Sequence, residues 1–200
     1  MASPEPTASR SQDVELAQRC AAGDRAAQHA FFVQQRAQVH RTLFRVLGTN
    51  RQVEDLIQET FIAAFGALGS FRGESSLNTW IDTIAARVVY RHLARREPRP
   101  QHLQVLAALP AHGPDPQREA ELREGVRRLY ALLDRIDAKH RIAYTLHVID
   151  GRPIKDVARI TRASSLAVKN RVWRARRSVH ARALRDPLLS ELLLQFKDAP

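Results

Sequence analysis

Five of the chain's ten prolines fall between Pro98 and Pro116, and that cluster constrains the fold more than any other feature. Proline lacks an amide proton and its ring clashes with the preceding helical turn, so regular structure does not run through such a stretch. Residues 98–116 are therefore expected to be a linker between two units. On either side, apolar residues recur at three- and four-residue spacing and none of the runs alternates as a strand would. The expected class is all-α: two small helical domains joined by a proline-rich linker.

Punctuation residues set the expected elements. Residues 1–12, rich in Ser, Pro and Ala, read as a disordered tail. Asp13 is placed to cap a short helix through Cys20, and Gly23-Asp24 breaks it and caps the next. That helix runs from Arg25 to about Leu47, with Phe31, Phe32, Val39, Leu43, Val46 and Leu47 on its apolar face, and stops at Gly48. A third helix, from about Gln52 to Leu68, carries Val53, Leu56, Ile57, Thr60, Phe61 and Ala64 inward. After a loop from Phe71, Ser75 or Ser76 caps a fourth helix from Leu77 to about Arg96. The second unit, 117–186, holds helices over 117–136, 138–149, Ile154–Ile160 and Ser165 to about Leu184. A short leucine-rich extension, 187–200, follows; packing back on the unit is its simplest reading.

Composition matters here through its distribution. The chain has 32 Lys+Arg against 21 Asp+Glu, a net charge of +11. Residues 1–97 are nearly balanced, with 12 basic and 10 acidic residues. Arg152 to Arg185 has 11 basic residues and one acid, Asp156, so this stretch of 34 residues carries +10. Such a concentration calls for an anionic partner: nucleic acid, a membrane surface or an acidic protein.

Other classes are excluded by what the sequence lacks. One cysteine, Cys20, forms no internal disulfide and no multi-cysteine zinc site. The eight histidines are scattered, and the eight glycines form no phosphate loop. Glu54, Asp55 and Glu59 cluster, but no histidine or second carboxylate group joins them to make a metal or acid–base site. No apolar run reaches the roughly 18 residues of a membrane span, and the N-terminus lacks the order of a signal peptide. The expectation is a cytoplasmic, non-catalytic protein with no cofactor and no metal.

Two stretches carry binding chemistry. Ile154–Arg177 has the outline of a helix-turn-helix: a short helix, a tight turn, then a helix whose Val168, Val172, Ala175 and Val179 face inward. Lodged in a major groove, such a helix presents its first turns to base edges and later cations to phosphates. Ser165, Leu166, Lys169 and Asn170 are then base-reading candidates, and Arg171, Arg174, Arg176 and Arg177 phosphate candidates. The stretch from Phe71 to Arg96 mixes aromatic, hydroxyl and cationic residues: Phe71, Arg72, Ser75, Ser76, Asn78, Thr79, Trp80, Arg87 and Arg91. Stacking, polar contact and a cationic track are what single-stranded DNA requires; plain core packing is the competing reading of Trp80. A stand-alone helix-turn-helix regulator, or a nucleic-acid enzyme using Glu54, Asp55 and Glu59, are the rival classes.

The strings DLIQETF and FRGESSLNTW, within Val53–Arg96, resemble conserved region 2 of bacterial sigma factors of the extracytoplasmic-function type, and Asp13–Phe32 resembles its opening. Gly151–Val179 resembles region 4 of the same family. The resemblance implies a region 2 over 13–97 and a region 4 over 117–186. It implies that Asp55, Gln58, Glu59 and Phe61 dock on core RNA polymerase, that the Phe71–Ser76 loop and fourth helix hold a melted minus-ten element, and that the helix-turn-helix reads the minus-thirty-five element. It also implies control by an anti-sigma factor. Some positions depart from the family pattern. Arg162 stands where Gly is frequent, at a cost of roughly 1 kcal/mol if φ is positive, and it adds a phosphate candidate. Asp82 and Thr83 replace aromatic or basic residues, Ala86-Arg87 stands where Arg-Asn is usual, and Arg91 replaces a frequent Asp.

Overall fold

A computed structural model describes residues 6–95 and 116–197, and among them every regular element is helical. The first unit comprises α1 (Pro6–Ala21), α2 (Arg25–Leu47), α3 (Val53–Ala67) and α4 (Leu77–Arg95). The second comprises α5 (Pro116–Leu133), α6 (Ala138–Tyr144), α7 (Ile154–Ile160), α8 (Ser165–Ala183) and α9 (Pro187–Lys197). The expected linker lies outside the described residues, apart from Pro116, which starts α5. There its missing amide proton is no loss.

Local chemistry sets the ends of α2. The Asp24 carboxylate accepts from the amides of Ala26 and Ala27, and Gly48 closes the helix in the left-handed region at φ 71°. At the start of the chain the expectation needs correction. The helix begins at Pro6, inside the expected tail, and Asp13 lies within it rather than capping it. Asp13 instead accepts from the Leu77 amide at 2.9 Å, while Ser76 accepts from the Thr79 amide at 3.2 Å. Two side chains 63 positions apart thus satisfy the open N-terminus of α4.

The core of the first unit is aromatic at one end. Phe61 meets Phe31 edge-on with centroids 5.8 Å apart, and Phe32 lies 4.7 Å from Phe61. In the second unit Val157, Ala158 and Ile160 of α7 pack on Val168 and Val172 of α8. These residues, with Ile142, Ala143 and Leu146 of the α6 segment, belong to the same apolar cluster as the core of α2, α3 and α4. The two units therefore share one continuous core, with α4 lying against α6 and α7.

Two further features place the second unit. Residues 138–149, expected as one helix, change pitch: Thr145–Ile149 form a π turn, and the Asp150 amide donates to the Thr145 carbonyl at 2.8 Å. The C-terminal extension packs on α5 and α8. Asp186 accepts from the Leu189 amide at 3.1 Å and from Arg128 at 2.9 Å, and Leu189 is buried. Gly125 admits Leu192 so closely that a Cβ there would lie 2.4 Å from a Leu192 methyl.

Candidate functional site

Three surfaces collect the residues selected from the sequence. On α3, the buried stripe leaves Asp55, Gln58 and Glu59 exposed. Ile62 continues that stripe and is 74% exposed, the most open large apolar side chain among the described residues. Spacing of three and four puts all four on one face. Phe61 is the exception: it is 3% exposed and held among Phe31, Phe32 and Phe65, so it supports the helix from behind and offers no contact surface. Ile62 escaped the sequence reading, although an apolar residue seven positions after Asp55, off the inward stripe, was the available signal. The nearby acids are tied to arginines: Glu54 with Arg36 at 3.0 Å and Glu59 with Arg91 at 2.6 Å. Among the described residues, no group of three His, Cys, Asp or Glu side chains is placed to hold a metal ion.

The second surface is the loop before α4 and the start of that helix. Arg72, Ser76, Asn78, Arg87 and Arg91 are exposed, and Ser75, Thr79 and Trp80 half-buried. Phe71 is buried beneath the loop, 5.6 Å from the Trp80 ring in an edge-on contact. It cannot stack on a base and acts as the floor that holds the Trp80 indole at the surface.

The third surface is the helix-turn-helix. The Ala163 amide donates to the Ala158 carbonyl at 2.9 Å, Arg162 adopts φ 47°, and Ser164 caps α8 by accepting from the Ala167 amide at 3.1 Å. The φ is positive, which is the condition under which arginine in place of glycine carries its cost. Ser165, Leu166, Lys169, Asn170, Arg174, Arg176 and Arg177 are exposed, and Arg171 is half-buried. Among the described residues no carboxylate pairs with Lys169, Arg171, Arg174, Arg176 or Arg177. Unpaired cations on one face produce a field that only an outside anion can neutralise. Arg177 lies over the Trp173 ring, 5.5 Å from its centroid, and Trp173 is itself more than half exposed.

The second and third surfaces meet. Arg87 of α4 lines one small cavity, about 230 Å³, together with Lys139, Arg162 and Arg171. Beside it, Asp82 is fully buried and paired with Arg152. Elsewhere burial pushes the Cys20 thiol pKa up, as suits a small core residue rather than a nucleophile. No helix among the described residues is long and apolar enough to cross a membrane.

Comparison with known proteins follows the same division. Residues 31–99 match the Sigma-70 region 2 family and residues 126–179 the Sigma-70, region 4 family. The chain is 29% identical over 189 residues to the RNA polymerase sigma-H factor of Pseudomonas aeruginosa, covering 90% of this chain and 97% of that protein. It is 28% identical over 176 residues to the ECF RNA polymerase sigma-E factor of Haemophilus influenzae, covering 84% and 93%. Among solved structures, CnrH in complex with the cytosolic domain of CnrY is similar at TM-score 0.61 and 22% identity, over 87% of this chain and 98% of that one. The sigma factor RpoE of Bartonella quintana, in complex with the anti-sigma factor NepR, is similar at TM-score 0.50 and 21% identity, over 72% and 88%.

Proposed function

Because the chain belongs to the sigma-70 family of RNA polymerase sigma factors, in its extracytoplasmic-function branch, we propose that it is a dissociable, non-catalytic initiation subunit acting in the cytoplasm. It binds core RNA polymerase, directs it to particular promoters and promotes melting of the minus-ten element. Residues 13–97 act as region 2, 98–116 as the linker and 117–186 as region 4.

Each surface has its own task. The Asp55, Gln58, Glu59 and Ile62 stripe docks on polymerase, an apolar residue beside acids and an amide, and Phe61 keeps α3 in place from inside. Trp80, standing on Phe71, supplies an aromatic edge for an unstacked base. Arg72, Ser75, Ser76, Asn78, Thr79, Arg87 and Arg91 supply polar and cationic contacts along the strand. In region 4, Ser165, Leu166, Lys169 and Asn170 meet base edges, and Arg162, Arg171, Arg174, Arg176 and Arg177 hold phosphates. The charge split fits this division, since gripping a duplex backbone needs many cations and holding a few unstacked bases needs few. An anti-sigma factor controls the chain by covering these surfaces; the RpoE–NepR complex lends support by its similar fold.

One observation carries the reading: an exposed docking stripe and an unpaired cationic recognition helix occur in one chain, each within the corresponding sigma-70 region. Promoter-specific transcription with purified core polymerase tests it. The wild-type chain should direct specific transcripts, and Asp55→Arg should abolish them while keeping affinity for a minus-thirty-five duplex. A chain that binds its site tightly alone, and for which Asp55→Arg is harmless, is a stand-alone regulator instead.

A further inference from the structure

Four basic side chains from four parts of the fold line one cavity. Arg87 comes from α4, Lys139 from the first turn of α6, Arg162 from the turn between α7 and α8, and Arg171 from α8. Buried Ala86, Ile142 and Ile160 supply apolar wall. No carboxylate is among the lining residues, and among the described residues none of the four basic heads pairs with one. Asp82, next to Thr83 in the chain, does not balance them. Its carboxylate is engaged by Arg152 at 2.5 Å, by the Gln38 amide at 2.7 Å and by the Thr42 hydroxyl at 2.9 Å.

The remaining lining residues narrow the chemistry. The Thr83 and Thr161 hydroxyls donate to the carbonyls of Thr79 at 3.0 Å and Val157 at 2.7 Å, so their protons are already engaged. The side-chain donors left in the wall are the four cations and the Tyr90 phenol. Lys139 is itself held in place, with its ammonium 5.7 Å from the centroid of the Tyr90 ring. Arg174, Arg176 and Arg177, the exposed cations further along α8, do not line this cavity. The hollow thus gathers a subset of the basic residues and adds one, Lys139, from outside the helix-turn-helix.

Like charges gathered beside an apolar wall repel one another, and a bound anion reverses the sign of that energy. A phosphate group carries close to two negative charges near neutral pH and offers three acceptor oxygens. Guanidinium forks match its geometry and an ammonium adds a point charge. Size sets the limit. At about 230 Å³ the cavity falls below the roughly 300–1,000 Å³ of sites for drug-sized ligands. It suits a phosphate or diphosphate, or the phosphate end of a larger molecule.

We propose that this cavity is a binding site for a small phosphate anion, inorganic or carried as the end group of a nucleotide, held by Arg87, Lys139, Arg162 and Arg171. The inference rests on the cavity and not on the sigma-factor reading, which promoter-specific transcription tests separately. Three of the four cations also stand among the residues proposed to contact DNA. Lys139 does not, which makes it the probe of this site.

Isothermal titration calorimetry of the full-length chain with sodium diphosphate, at constant ionic strength, tests the proposal. One saturable site per chain is expected, with a melting temperature that rises as diphosphate is added. Lys139→Gln should weaken binding about tenfold, the effect of losing one charge-assisted hydrogen bond. Lys155→Gln removes the same charge from an exposed position on α7 that does not line the cavity, and should leave binding unchanged. Equal weakening in both variants means diffuse attraction to a basic surface and overturns the site. So does the lack of saturable binding below about 1 mM. Titration with ADP separates the two sources: binding of diphosphate alone assigns the site to the inorganic anion, and comparable binding of ADP to a nucleotide's phosphate end. Adenosine binding as tightly as ADP would place the apolar wall, not the cations, in charge and overturns the proposal.

Discussion

The Tyr130 phenol, 85 residues from its partner, donates a 2.7 Å hydrogen bond to the Arg45 carbonyl, and its ring packs against Gly48. Burial pushes the phenol pKa to about 12, so the donor keeps its proton at every ordinary pH. Tyr130→Phe leaves a half-buried carbonyl without that donor and should lower stability by about 1 kcal/mol in chemical denaturation. Gly48→Ala meets two obstacles, a φ of 71° and a new Cβ 2.2 Å from the Tyr130 ring, and should lower it by more than about 2 kcal/mol. The paired substitution Gly48→Ala with Tyr130→Ala removes the steric half of that cost.

Phe61 and Ile62 are adjacent and should behave oppositely. Phe61→Ala empties part of an aromatic core and should destabilise by about 3–5 kcal/mol. Ile62→Asp alters a side chain that is 74% exposed and should leave the melting temperature nearly unchanged. Polymerase affinity, measured by co-sedimentation or fluorescence anisotropy, should fall at least tenfold for Ile62→Asp. Equal affinity for that variant and the wild type would remove Ile62 from the proposed docking surface.

Arg162 holds a positive φ of 47° in the turn between α7 and α8. Glycine adopts that conformation without the Cβ penalty, so Arg162→Gly should stabilise by about 1 kcal/mol, a rise of roughly 2–4 °C in melting temperature. The same change removes a cation proposed to contact a phosphate. Affinity for a minus-thirty-five duplex should fall, and the slope of log affinity against log salt should shrink by about 0.9. A stabilised variant with an unaltered slope would show that Arg162 does not touch DNA.

Acid should loosen the second unit through Glu124. Hydrogen bonds from Arg127 and Arg128 hold the Glu124 carboxyl at about 2, below its usual 4.5. A depressed folded pKa means the stabilisation is complete above about pH 4.5 and is lost as pH falls toward 2. The side chain is nearly one-third exposed, so screening reduces the effect to roughly 1 kcal/mol. Glu124→Gln should therefore be less stable than wild type by about that amount at pH 7, and the two should converge near pH 2 in denaturant titrations.

What the sequence disclosed, and what it hid, follows the distance over which each signal acts. Asp24 and Gly48 bound α2 through contacts within a turn, and the bounds Arg25 and Leu47 were legible for that reason. So were α7 and the left-handed residue at Arg162. Asp13 was misread because its acceptor role is played toward Leu77, in another helix. The pairing of Asp82 with Arg152 and the donation of Arg141 to the end of α2 were not legible, because these partners lie 70 and about 95 residues apart. Phe61 and Phe71 sit where an apolar stripe borders a binding face, and periodicity alone does not say on which side of that border a ring falls.

The π turn at Thr145–Ile149 sets an angular phase for everything after it. Each helical residue advances direction by about 100°, and a π turn accommodates one residue more than the regular ladder, often near functional sites. Deleting a single residue there would restore an ordinary α-helix and swing the following segment around the axis by roughly that angle. Arg152 would then point away from Asp82, and α8 would face a different direction from the first unit. One surplus residue in the chain thus fixes the rotational setting at which its two halves engage, and single-residue deletions between 145 and 149 should be far more damaging than substitutions at the same positions.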